Sequence, residues 1–169
     1  MNRIILLMGV CVLFNCCALQ KPRKKNLDIE VHIIEKLNYK IFQHLEGSIY
    51  SVNIDLFNNT DSVVFFWANS CNWEVNWRSI TKAFYLIPSE CDSNGPILNQ
   101  IEPGKKFTYK GIACVNKNLM DKSDVRLGFI LIKKNECSIY SLMSFTKLLT
   151  SKYDEQKDII WSEPIKLDK

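Results

Sequence analysis

The chain has 169 residues, 47% of them hydrophobic and 11% aromatic, and a formal net charge of +4. That length suits one domain with a real core, and the composition excludes bulk disorder. The charge is too mild to imply nucleic acid.

Met1, Asn2 and Arg3 precede an apolar run over 4–14, which ends at Asn15, Cys16 and Cys17. A positive start, an apolar run short for a bilayer and a small or polar end read as a secretory signal. Leu13-Phe14-Asn15-Cys16 resembles a bacterial lipoprotein signal in the loose form seen in Bacteroidetes. The resemblance implies cleavage before Cys16, a diacylglycerol on its thiol and acylation of the new amino terminus. Plain secretion, with cleavage after Ala18 or nearby, is the alternative. Modification at Cys17 would place Phe14 three residues before it, a poorer match, and Cys11 reads as apolar filler. In Bacteroidetes an acidic run just after the Cys tends to accompany surface export. Cys17-Ala18-Leu19-Gln20-Lys21 is not acidic, which implies a membrane-anchored, periplasm-facing protein of the cell envelope.

The expected organisation is a signal over 1–15, a tether over 16–26 and a domain over 27–169. Lys21, Arg23, Lys24 and Lys25 make the tether basic. It is a solvated linker or lies against anionic head groups, each cation then contributing on the order of 1 kcal/mol.

In the domain, Leu27, Ile29, Val31 and Ile33 alternate with Asp28, Glu30 and His32, the period of a half-buried strand. The stretch 35–46 fits a helical face or a continuing strand. Tyr50, Val52, Ile54 and Leu56 mark the clearest strand. Asn58, Asn59, Thr60, Asp61 and Ser62 supply turn chemistry. The continuous apolar run 63–67 predicts a strand covered on both faces. Residues 69–79 read as a long aromatic loop, 80–87 as a strand ended by Pro88, and 97–101 as a short strand. Two more strands are expected over 106–114 and 125–133, separated by the polar 116–124. Leu142, Phe145, Leu148 and Leu149 have helical spacing within 141–154. A last strand over 159–167 carries Pro164, an edge signal. These elements predict an all-β, antiparallel sandwich of seven to nine strands with at most one or two short helices. The strand, Asn-rich turn, apolar strand, Ser70-Cys71-Asn72-Trp73, and the later Ile101-Glu102-Pro103-Gly104 are similar in layout to small immunoglobulin-like lipoproteins of Bacteroidetes. That resemblance implies fold and compartment and no assigned activity.

Cys71, Cys91, Cys114 and Cys137 are disulfide candidates in an oxidising compartment. Consecutive strands reverse, and eight residues separate their ends by about 26 Å, whereas bridged Cα atoms lie within about 7 Å. Sequential pairing is thereby disfavoured. If 97–101 does not reverse the chain, the pairs are Cys71–Cys114 and Cys91–Cys137; if it does, Cys71–Cys137 and Cys91–Cys114. A single bridge or none is the remaining alternative.

Chemistry has little footing. His32 and His44 are the only histidines and read as surface residues, no Gly-x-Ser-x-Gly occurs, and no CxxC pair suits zinc. No enzyme activity, cofactor or metal is expected. Trp73, Trp77 and Arg78 in the aromatic loop form the best binding candidate, since Trp joins apolar area to a polar donor. The competing reading puts Trp67 and Trp73 in the core and leaves Trp77 the most exposed. The functional expectation is a protein-binding or assembly accessory module of the envelope. A carbohydrate-binding lipoprotein using Trp73 and Trp77, or a sandwich-type protease inhibitor, is the alternative.

Overall fold

A computed structural model describes residues 26–38, 45–91, 94–120, 124–137 and 142–166. The leader, Cys16, the tether up to 25 and His44 lie outside the described residues.

The first sheet has the order β1 (Leu27–Leu37), β2 (Ser48–Asn58), β7 (Lys106–Val115), β5 (Phe84–Ile87). All its pairings are antiparallel. The second layer is built on β8 (Leu127–Ile130) and β9 (Ile132–Lys133), separated only by Leu131. β9 pairs with β3 (Val64–Asn69), which pairs with β6 (Pro96–Ile101). β8 lies between β4 (Trp77–Ser79) and β10 (Ile159–Trp161). Trp67 faces Ile132 on β9, so an unbroken register would set Ser70 opposite Phe129. Trp77 stands there instead. β3 and β4 therefore share one strand position, and the seven residues 70–76 are extruded from it. Counted by position, the ten strands make eight. One sheet follows the A-B-E-D order of an immunoglobulin-like sandwich and the other its C-F-G order, with β6 added beside C.

The alternation read from β2 places Val52, Ile54 and Leu56 inside, each at most 1% exposed. From the facing sheet Phe66 and Phe129 meet Phe107 and Tyr109 of β7. Phe66 lies edge-on to Phe107 and to Phe129, at 5.7 and 5.4 Å between centroids. The run 63–67 is covered on both sides, as its unbroken apolarity predicts. Phe66 points between the sheets, and Trp67 joins a second cluster with Ile130, Ile132, Phe145 and Leu149. Phe145 and Leu149 come from helix α2 (Leu142–Asp154), which lies over the outside of the second sheet. Among the described residues a second α-helix, α1 (Lys117–Met120), occupies the polar stretch after β7.

Turn chemistry holds the end where the chain arrives. Asn58 is buried. Its Oδ1 accepts from the Thr60 N–H and hydroxyl, and its Nδ2 donates to Ser62 O and Ile101 O. Gly104 follows with φ +68, which an L side chain rarely adopts, in the tight turn from β6 to β7.

Several expectations fail here. The last strand ends at Trp161, not at 167, and the strand over 125–133 is broken at Leu131 into β8 and β9. Residues 80–87 are not one strand, because 80–83 turn before β5 begins. The disulfide is Cys71–Cys91, with 6.2 Å between Cα atoms. The pairings Cys71–Cys114 and Cys91–Cys137 assumed a full strand between Cys71 and Cys91. In fact the chain goes out along β4, turns and comes back along β5, so its two ends meet. Cys114 is a buried free thiol under Gly47, and Cys137 lies half-buried beside the α2 cluster.

Candidate functional site

Of the residues expected to bind, Trp73 lies in the extruded segment 70–76, and Trp77 and Arg78 follow it at the start of β4. An extrusion leaves ladder groups open on both neighbouring strands, and burial of open groups is costly. Asn76 closes them: its Nδ2 donates to Trp67 O at 3.1 Å and to Ile130 O at 3.4 Å. Glu74 is 7% exposed and accepts from the Ser89 N–H at 3.1 Å and the Ser89 hydroxyl at 3.3 Å. With Cys71–Cys91, these bonds fasten the excursion to the exposed segment 88–91.

The aromatic residues are spent on packing. Trp77, expected to be the most exposed, is 3% exposed, wedged between Tyr109 and Phe129. The reason is register: Trp77 takes the position opposite Phe129 on the inward face of β4. Trp73 is half-buried and stacks on Tyr109 at 4.7 Å. A side chain at Gly111 would meet its ring at 2.8 Å, so glycine there is what lets the indole lie down on β7. Arg78 donates to Val75 O and Trp77 O, and its guanidinium lies over Tyr153 of α2. Trp73, Trp77 and Arg78 thus make no flat exposed platform. Burial raises the Tyr109 hydroxyl above the usual tyrosine range. Beside the excursion is a cleft of ≈ 480 Å³ lined by Asn72, Glu74, Trp77, Arg78, Thr81 and Tyr85 among others. Tyr85 is pushed up to about 12 by burial and by its hydrogen bond with the Cys114 thiol.

A second polar group stands on the outer face of the first sheet. Glu30, His32 and Asp55 bring one donor atom each within 4.8 Å of the others. His32 Nε2 is 3.4 Å from Asp55 and 3.6 Å from Glu30. Lys106 Nζ already sits 2.7 Å from Asp55, and Thr108 donates to it at 2.6 Å. Burial alone would raise the Asp55 carboxyl, but those two hydrogen bonds and the Lys106 charge hold it below its ordinary value. The Lys106 ammonium already pairs with the Asp55 carboxylate of this group.

The feature that sequence reasoning missed is the outer rim of β6. It borders the second sheet with no strand beyond it among the described residues. Ile97 is 45% exposed and Leu98 38%. The run Pro96-Ile97-Leu98-Asn99-Gln100-Ile101 carries no charge. That neutrality was legible, but edge position depends on which strand pairs with which.

No protein-family model matches the chain, and no curated protein does. Among solved structures it is similar to the FixG-related protein from Vibrio parahaemolyticus, at 12% identity and a TM-score of 0.31, over 82% of this chain and 92% of that one. Among the described residues no helix is long and apolar enough to cross a membrane.

Proposed function

We propose that the chain is a lipid-anchored envelope protein, attached through Cys16 and periplasm-facing, whose domain works as a protein-binding accessory module without catalysis. The observation that carries the binding half is the neutral β6 rim, with apolar side chains exposed on both its faces. The β1 edge carries Asp28, Glu30, Glu35 and Lys36, and the β5 and β10 edges, though uncharged, have no exposed side chain. The anchor half is supported by the leader and Cys16. The sugar-binding alternative loses its support, because Trp77 is buried and Trp73 is stacked on Tyr109. Inhibition of a protease keeps one specific support, the exposed segment 88–91 pinned by Cys71–Cys91 and by Glu74.

The test is expression with the full leader in a bacterial host, followed by intact-mass analysis and envelope crosslinking. A diacylated or triacylated mass that disappears in Cys16→Ser is the expected result. A photoreactive side chain in place of Leu98 should crosslink an envelope protein, and one in place of Lys110 should not. An unlipidated mature mass removes the anchor, and equal crosslinking at both positions removes the β6 surface.

A further inference from the structure

We propose that β6 is a strand acceptor, along which an extended, uncharged segment of a different protein adds through the backbone groups of Leu98 and Gln100. This rests on the protein-binding reading above and names the kind of partner.

The ladder shows which groups are available. Ser70 N–H donates to Gly95 O at 2.8 Å, in the register that pairs Asn69 with Pro96. In an antiparallel ladder, bonded and non-bonded pairs alternate. Ile97, Asn99 and Ile101 therefore exchange bonds with β3, while Pro96, Leu98 and Gln100 turn their backbone outward. Pro96 has no N–H to give and closes the free run at one end. Side chains alternate as well. Asn99 pairs with inward-facing Phe66, so Ile97, two residues away, shares the inward face. Leu98 pairs with Trp67 and lies on the α2 side. An added strand would thus find two residues offering N–H and C=O, with one exposed aliphatic side chain on each face.

The rim also constrains the occupant's chemistry. β6 itself carries no ion, and the charges beside it stand at its Gln100 end, where Glu102 accepts from the Gln100 side chain and Lys134 lies over Phe65; at Leu98 an incoming charge would be desolvated without a counter-ion, which is costly. The middle of the added segment is therefore uncharged and alternates around apolar residues. A second copy of this chain fits poorly. β6 runs toward the end where the tether arrives, since Ile101 faces Val64 and is tied to Asn58, the partner of Leu27. Antiparallel self-pairing would point the two tether ends in opposite directions. One tether would then have to run back along its own domain, using most of the roughly 35 Å that ten residues can span. An extended segment of another protein is free of this constraint, because its own attachment does not fix the direction in which it lies along β6.

The experiment uses the mature lipidated protein in detergent and a capped, soluble heptapeptide alternating threonine and valine as the probe strand. Amide hydrogen exchange is followed by mass spectrometry with residue-level fragmentation, and mass in solution by light scattering. The expected result is slowed exchange at Leu98 and Gln100 on adding the peptide, at unchanged mass. Leu98→Lys should weaken the effect at least tenfold. Leu98→Pro, which removes a donor β3 does not use, should abolish it, and the lysine variant decides if the proline one misfolds. Exchange that is slowed without peptide, with a doubled mass, makes the occupant a second copy and overturns the proposal. Unchanged exchange at millimolar peptide overturns it too. Cys16→Ser repeated in the same assay separates the two readings: lost lipidation with retained β6 protection breaks the anchor alone.

Discussion

Phe66 and Trp67 are neighbours on β3, yet they belong to different cores. Phe66 lies between two sheets, among Phe107, Phe129 and Tyr109, in a cluster that draws on strands from both layers. Trp67 lies under one helix, with Ile130, Ile132, Phe145 and Leu149. The inner core is held on one side by the long β1–β2 and β2–β7 ladders and on the other by the shorter ladders of the second sheet, so nothing in it opens without separating the sheets. The outer core is closed by α2, with Val75 and Cys137 at its margin, and ion pairs add to the packing that secures the helix. Lys152, 3% exposed, reaches Glu136 and Asp158, and Lys133 pairs with Asp158 from β9. A single residue step along one strand therefore separates a cooperative interior from a removable cover.

Truncation on the two sides should break the comparison open. Phe129→Ala removes a fully buried ring that touches Phe66, Trp77 and Tyr109. Such losses cost about 3–5 kcal/mol, and the urea midpoints followed by far-ultraviolet dichroism and by tryptophan fluorescence should fall together. Phe145→Ala removes a ring that is equally buried but lies on the movable side. The helix can settle toward the sheet, so the cost should lie at the low end of the same range, about 3 kcal/mol. Hydrogen exchange then distinguishes the two. Amides of α2 should exchange early in Phe145→Ala while β2 and β7 stay protected. Equal loss of protection in both places would mean the two cores unfold as one unit.

What could be read in advance follows the same division. Period-2 alternation is strong where one face is buried against a sheet and the other is wet, so β1 and β2 were legible residue by residue and β7 as a strand. The unbroken run around Phe66 and Trp67 announced two covered faces, and the spacing of Phe145, Leu148 and Leu149 announced the helix that covers one of them. The excursion over 70–76 left no such mark. Its residues look like an exposed aromatic loop because the extrusion is decided by register against β8, which lies more than fifty residues away in sequence. For that reason Trp77 was placed outside, and the disulfide was assigned across the sandwich instead of across the short β4–β5 return. The neutral run of β6 was visible as a strand, but its standing as an edge depends on pairing order. The binding candidates therefore moved from Trp73, Trp77 and Arg78 to Ile97 and Leu98.

The smallest effect is the one that tests whether charge secures the cover. In the folded protein, Asp158 is held below its ordinary value by the Lys152 hydrogen bond, against some burial. Glu136 is held down by bonds from the Lys133 backbone and Lys152, which outweigh its burial. Burial opposes the charge on Lys152, but the two carboxylates win and raise it. Lowered carboxylates contribute stability that is present above their unfolded values and lost as pH falls through the folded ones. The raised lysine contributes stability that is complete below its unfolded value and lost as pH rises through the folded one. Lys152→Met should therefore cost most on the plateau between roughly pH 5 and 9. The cost should be about 1–2 kcal/mol, less than for a fully buried pair, because both carboxylates are partly solvated and Asp158 keeps Lys133. Only below the lowered folded values of Asp158 and Glu136 are the carboxylates of the wild type neutral, leaving its buried ammonium without partners. There the methionine variant should equal or exceed the wild type, and urea midpoints measured across pH should cross. Parallel curves would mean that packing by Phe145 and Leu149 holds α2 and that Lys152 does not.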